Sequence, residues 1–142
     1  MRLNLSRKQI FVLSIVFIFI VLFQTSIAGK KQDKGLLSDY NLFIEAEALL
    51  NQESYDQALA NYYTLVKSDR NQDSVSILWG ISQALKHSGD LEGTKFYLEK
   101  IQKVFPAIVY RSEFLQEYGE LLLQLGDERG RLYLGKSSEV TN

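Results

Sequence analysis

Cysteine is absent from the 142 residues. That excludes disulfides, thiolate metal sites, a cysteine nucleophile and a lipoprotein anchor, which needs a lipidated Cys. Proline occurs once, which suits a helical protein better than a small secreted β-scaffold. The one histidine, His87, has no second His or Cys to complete a zinc site and is read as a solvated turn residue. A strong net charge is also missing, the formal value being −1. The charge is unevenly spread, however. Residues 1–28 carry Arg2, Arg7 and Lys8 and no acid, so the rest holds 13 of the 16 basic residues against all 17 acidic ones, a balance of −4. Such a balance argues against a nucleic-acid partner. Hydrophobic residues at 46% and charged residues at 23% are ordinary globular values and exclude wholesale disorder.

Long apolar runs are confined to one place. From Ile10 to Phe23 the chain reads IFVLSIVFIFIVLF, and only Ser14 interrupts it. A basic start, an apolar centre and the small-residue exit Ser26-Ile27-Ala28 form a signal sequence with a cleavage site after Ala28. Counted over residues 9–28, the same stretch approaches the ~20 residues that span a hydrocarbon core. Residues 1–28 are therefore expected to be a transmembrane signal-anchor helix or a cleaved signal peptide. In either case Arg2, Arg7 and Lys8 hold the N-terminus in the cytoplasm and the rest emerges on the extracytoplasmic side. The product is single-pass if anchored and secreted if cleaved. Residues 29–37, which include Lys30, Lys31 and Lys34, read as a solvated linker.

Beyond the linker the apolar spacing is helical, which makes the fold class all-α. Leu42, Ala46, Leu49 and Leu50 define a first helix over 38–51. Ser54 and Gln57 form a capping box, and then comes a helix carrying Ala58, Leu59, Tyr62, Leu65 and Val66 to about 68. Ile77, Leu78, Ile81, Ala84 and Leu85 mark the next helix, closed by Ser88-Gly89 with glycine in the left-handed conformation. Asp90 caps a fourth helix bearing Leu91, Tyr97, Leu98, Ile101 and Val104. Pro106 is placed to start a fifth, which buries Phe114, Leu115, Tyr118, Leu121, Leu122 and Leu125 and stops at Gly126-Asp127. A last helix from Glu128 to about 137 contains Gly130 and Gly135, each costing about 1 kcal/mol relative to Ala, and is expected to fray. Residues 139–142 are expected to be a disordered tail.

Three hairpins in series prompt a repeat comparison. Tyr55-Asp56-Gln57-Ala58-Leu59 comes after the first turn. His87-Ser88-Gly89-Asp90-Leu91 forms the second and Leu125-Gly126-Asp127-Glu128 the third. Tyr55, Leu91 and Glu128 stand 36 and 37 apart. With Leu42, Ala46, Leu78, Ile81, Leu115, Tyr118, Gly119 and Pro106, this pattern resembles the tetratricopeptide repeat, whose period is about 34 residues. The resemblance covers roughly residues 38–128 and implies a short right-handed superhelix of antiparallel helix pairs over 38–138. Its units are expected at about 39–72, 75–106 and 112–138. Thr94 and Arg131 depart from the pattern by standing where the family has Ala.

No catalytic constellation accompanies the helices. Glu117 and Glu120 share a helical face, a geometry available to acid–base chemistry, but a solvated charged face explains them as well. Nucleophile-elbow, P-loop and dinucleotide fingerprints are missing. A non-enzymatic protein with no cofactor and no metal is expected.

The resemblance implies a concave groove lined by the first helix of each unit. Its positions here are Tyr40, Phe43, Glu47 and Leu50; Ser76, Trp79, Gln83 and Lys86; and Glu113, Gln116, Glu120 and Leu123. Family members that grip acidic peptide termini place Lys, Arg and Asn where this chain has Phe43, Glu47, Gly80, Glu113 and Glu117, which argues against such a ligand. A partner segment with apolar anchors and basic flanks fits the aromatic residues and the three Glu. The competing reading makes Phe43 and Trp79 core contacts between units. Two functions are expected on these grounds. One is an adaptor or scaffold at the extracytoplasmic face of a membrane; the other is a self-associating structural subunit of an envelope assembly.

Overall fold

The computed structural model describes residues 35–140. The expected hydrophobic segment at 1–28, most of the linker and residues 141–142 lie outside the described residues. Within them the chain is all-helical, with no strand. Residues 35–51 are helical (α1), so 35–37 belong to a helix and not to a linker. Two compact units divide after Tyr40. In the first, Leu36, Leu37 and Tyr40 are exposed.

The second unit continues from residue 41 through α2 (Tyr55–Val66), α3 (Val75–His87) and α4 (Leu91–Val104), then α5 (Ser112–Gln124) and α6 (Gly130–Val140). A 3₁₀ turn, Pro106–Tyr110, separates α4 from α5. This corrects the expected start of the fifth helix. Pro106 opens the 3₁₀ turn, and Arg111 is extended before α5 begins at Ser112. A short apolar run after a proline fits either geometry, and Ile108, whose buried side chain joins the core, belongs to the tighter one.

Two apolar clusters hold the helices together. Ala46, Ala58, Leu59, Tyr62, Leu65, Ile77, Ile81, Ala84 and Leu85 form the first, from α1, α2 and α3. The second draws Leu78 from α3, Leu98 and Ile101 from α4, Ile108 from the 3₁₀ turn, and Phe114, Tyr118, Leu121 and Leu122 from α5. α3 contributes to both, which is why its apolar positions run almost all the way round. Burying a residue such as Leu78 contributes roughly 1.5–3 kcal/mol. Neighbouring helices approach closely at glycines. A Cβ on Gly80 would stand 2.3 Å from the Tyr62 ring, so α3 gives up a side chain to admit the aromatic of α2.

One helix ending recurs three times. Ser54 donates its N–H to the Leu49 carbonyl, Asp90 to Leu85, and Asp127 to Leu122. The preceding residue bonds three back in each case: Glu53 to Leu50, Gly89 to Lys86, Gly126 to Leu123. That pair of bonds is a Schellman ending with a left-handed residue, and φ is 60° at Glu53, 85° at Gly89 and 78° at Gly126. Glycine reaches such angles without a Cβ penalty, as expected at 89 and 126; Glu53 bears the penalty. The three endings are 36 and 37 residues apart, so the period seen in the sequence is also a period of backbone geometry.

The helix starts beyond these endings are less uniform. Asp90 caps α4 by accepting from the Gly93 N–H at 2.9 Å. Ser54 occupies the same place before α2, but its side chain makes no cap bond, so the expected capping box is not formed. The last helix departs most from expectation. It runs to Val140, so residues 139–140 are helical, and it packs along α5. Gly130 is the means of contact: a Cβ there would stand 2.4 Å from the Gly119 carbonyl oxygen.

Candidate functional site

A cleft of about 550 Å³ opens where α1, α3, the 3₁₀ turn and α5 converge. Phe43 and Glu47 come from α1, and Val75, Ser76 and Trp79 from the first turns of α3. Phe105 and Ile108 form the wall beside them, and Arg111, Glu113 and Phe114 close the α5 side. The helical spacing of 43 and 47, and of 75, 76 and 79, puts these side chains on one edge of their helices.

Five of the twelve expected groove residues therefore meet: Phe43, Glu47, Ser76, Trp79 and Glu113. Phe43 and Trp79 combine the two readings offered for them. Phe43 packs on the first core, its ring edge-on to Tyr62 with centroids 6.3 Å apart, and Trp79 packs on the second. Each is only partly buried and also faces the cleft.

The other seven lie elsewhere. Lys86 bridges α3 to α5, 2.8 Å from Glu117 and 3.9 Å from Glu120. Gln116 donates to Glu120 at 3.0 Å. Glu120 is thus matched within the protein, and Glu117 and Glu120 face a cation. Leu50 packs on the first core. Leu123 stands against Gly130 of α6. The Gln83 side-chain nitrogen is buried without a hydrogen-bond partner. Tyr40 falls in the first unit and is exposed.

Sequence reasoning missed Val75, Phe105, Ile108 and Arg111 as cleft residues, and treated Phe114 as core alone. Their signal was Pro106 read as a turn and not as a helix start, since the turn is what brings Phe105 and Arg111 beside α3. Arg111 also changes the electrostatics. With Glu120 paired, the charges lining the cleft are Glu47 and Glu113 against Arg111. Glu47 further accepts from the Tyr62 hydroxyl. Burial, together with that bond and the nearby carboxylate charge, pushes the Tyr62 phenol above its usual range, so it stays protonated and donating.

His87 is not simply a solvated turn residue. It ends α3, and its ring stacks on Tyr55, with centroids 5.2 Å apart and planes 6° from parallel. Among the described residues no cluster of three or more His, Cys, Asp or Glu is placed to hold a metal ion, and no helix is long and apolar enough to cross a membrane. No protein-family model matches the chain, and no curated protein matches it.

Proposed function

We propose that the chain is a non-enzymatic adaptor of tetratricopeptide-like design, a short right-handed superhelix of helix pairs that takes a segment of a partner protein in the α1–α3–α5 cleft. The observation that carries this reading is the convergence of Phe43, Glu47, Ser76, Trp79 and Glu113 from the first helix of each hairpin. That is the surface on which such a design binds its partners. The threefold recurrence of one helix ending supports the same reading, because stacked repeats need equivalent turns. The apolar run from Ile10 to Phe23 supports tethering to the extracytoplasmic face of a membrane through residues 9–28, or release after Ala28.

The partner segment carries apolar anchors with Lys or Arg beside them. Phe43, Trp79 and Phe105 offer rigid aromatic area, and Glu47 and Glu113 outnumber Arg111. The test is an array of synthetic twelve-residue peptides with Phe or Leu anchors and Lys/Arg, neutral or Glu flanks, probed with the full chain. Phe43→Ala with Trp79→Ala is expected to weaken the best binders by at least ~tenfold, the loss of one aromatic hot spot. Unchanged binding by the double variant would refute the cleft as the site.

A further inference from the structure

Glu47 differs from the other acid of the cleft in how it is held. It is half-buried and accepts from the hydroxyl of Tyr62, whose side chain is fully buried. The path of that hydroxyl to α1 runs against Gly80 of α3. A Cβ on Gly80 would stand 2.3 Å from the Tyr62 Cζ and 2.6 Å from its hydroxyl oxygen. A glycine inside a helix costs about 1 kcal/mol relative to Ala. Here it opens the passage for a hydroxyl that fixes one carboxylate. That carboxylate has no counter-charge: among the described residues no ion pair includes Glu47, Glu113 or Arg111, although all three line the cleft. Glu113 is exposed, so water screens it. The Tyr62 hydroxyl bonds Oε1 of Glu47, and a carboxylate has about four acceptor positions, so most of its accepting capacity is left over.

We propose that Glu47 is an arginine-selecting subsite, taking the guanidinium of one arginine of the partner segment, with Tyr62 and Gly80 as positioning residues. This rests on the reading of the cleft as a peptide groove. Arginine suits the place better than lysine. An ammonium is compact and strongly hydrated, and it gives up that hydration on entering a half-buried position. A guanidinium is more weakly hydrated, presents a fork of donors to a carboxylate, and stacks on aromatic faces of the kind Phe43 and Trp79 bring to the same cleft. Because Tyr62 already orders the carboxylate, little rotamer freedom is left to lose on binding.

The test is binding of the full chain to twelve-residue peptides with Phe and Leu anchors. One arginine is stepped along each peptide, then exchanged for lysine or for citrulline, its neutral isostere. In the best-binding register, citrulline is expected to weaken binding about tenfold and lysine about threefold. Glu47→Gln keeps an acceptor for Tyr62 and removes the charge, so it should bring the arginine-to-citrulline ratio to about one. Tyr62→Phe should lower the ratio to an intermediate value, a change that lost packing alone does not produce. Glu113→Gln should leave most of the ratio intact. Arginine and citrulline peptides bound alike, a ratio that survives Glu47→Gln or ignores Tyr62→Phe, or Glu113→Gln matching Glu47→Gln would each overturn the subsite. Phe43→Ala with Trp79→Ala separates that failure from failure of the cleft. If the double variant still weakens these peptides, the groove stands and the subsite falls; binding indifferent to it, or no peptide bound, removes both.

Discussion

The α3–α4 and α5–α6 hairpins begin alike and finish differently. Both first helices end in the same Schellman geometry, at Gly89 and Gly126, with an aspartate next in the chain. In α3–α4 the aspartate caps the next helix at once, and five residues past the glycine stands Thr94, fully buried, with its hydroxyl bonded to the Asp90 carbonyl at 2.7 Å. In α5–α6 the aspartate instead binds Arg129 through backbone and side chain, and the helix starts only at Gly130. The later start moves the buried small residue one position earlier, from Arg131 to Gly130. Equivalent turns thus do not force equivalent packing. A hairpin that loses register recovers close contact by giving up a side chain altogether.

That contrast is open to measurement. The largest effect is expected at Gly130. Gly130→Ala drives a methyl into the Gly119 carbonyl, backbone against backbone, and should cost about 3 kcal/mol in urea unfolding. Loss of amide protection in α6 ahead of the other helices would place the damage at this contact. A near-neutral Gly130→Ala would break the comparison. Asp90→Ala should cost about 1 kcal/mol, the ordinary worth of an N-cap, and its loss should appear first in the early turns of α4. Smallest is the pH response of Asp127. Bonds from Arg129 hold its carboxyl at about 2, below the usual 3.8. A depressed folded value means stabilisation that is complete above about 3.8 and lost as pH falls toward 2. Since solvent reaches the group and screens it, the effect is small. Asp127→Asn should lower the urea midpoint slightly at neutrality, where the contribution is complete, and flatten its fall between pH 4 and pH 2. An Arg129→Gln chain that kept the unmodified chain's acid response would show that Arg129 is not the cause.

The sequence and the structure agree where physics is local. The spacing of Ile77, Leu78, Ile81, Ala84 and Leu85 located α3, because a helix buried on several faces must repeat its apolar residues at short intervals. Gly89, Gly126 and Asp90 announced their turns, since each residue type has one strong conformational use there. Non-local effects were hidden. Gly130 reads as a helix breaker until Gly119 is known to lie opposite. Ser54 and Gln57 have the spacing of a capping box, but the Ser54 side chain makes no cap bond, so spacing alone did not secure it. At the cleft, the helical positions of Phe43 and Trp79 were legible and their neighbours were not. Arg111 and Phe105 arrive through a 3₁₀ turn whose apolar residues look like helix, and Lys86 removes Glu120 from the acidic count through a contact between helices far apart in sequence.

Trp79 is the sole tryptophan and lines the cleft, so its fluorescence tests the adaptor account most directly. Titrating the full chain with a dye-labelled peptide of Phe and Leu anchors and Lys/Arg flanks should shift Trp79 emission saturably, at the same midpoint as the peptide's own anisotropy. Phe43→Ala should move both midpoints together to higher concentration. Peptide binding that leaves Trp79 emission constant and ignores Phe43→Ala would contradict the account.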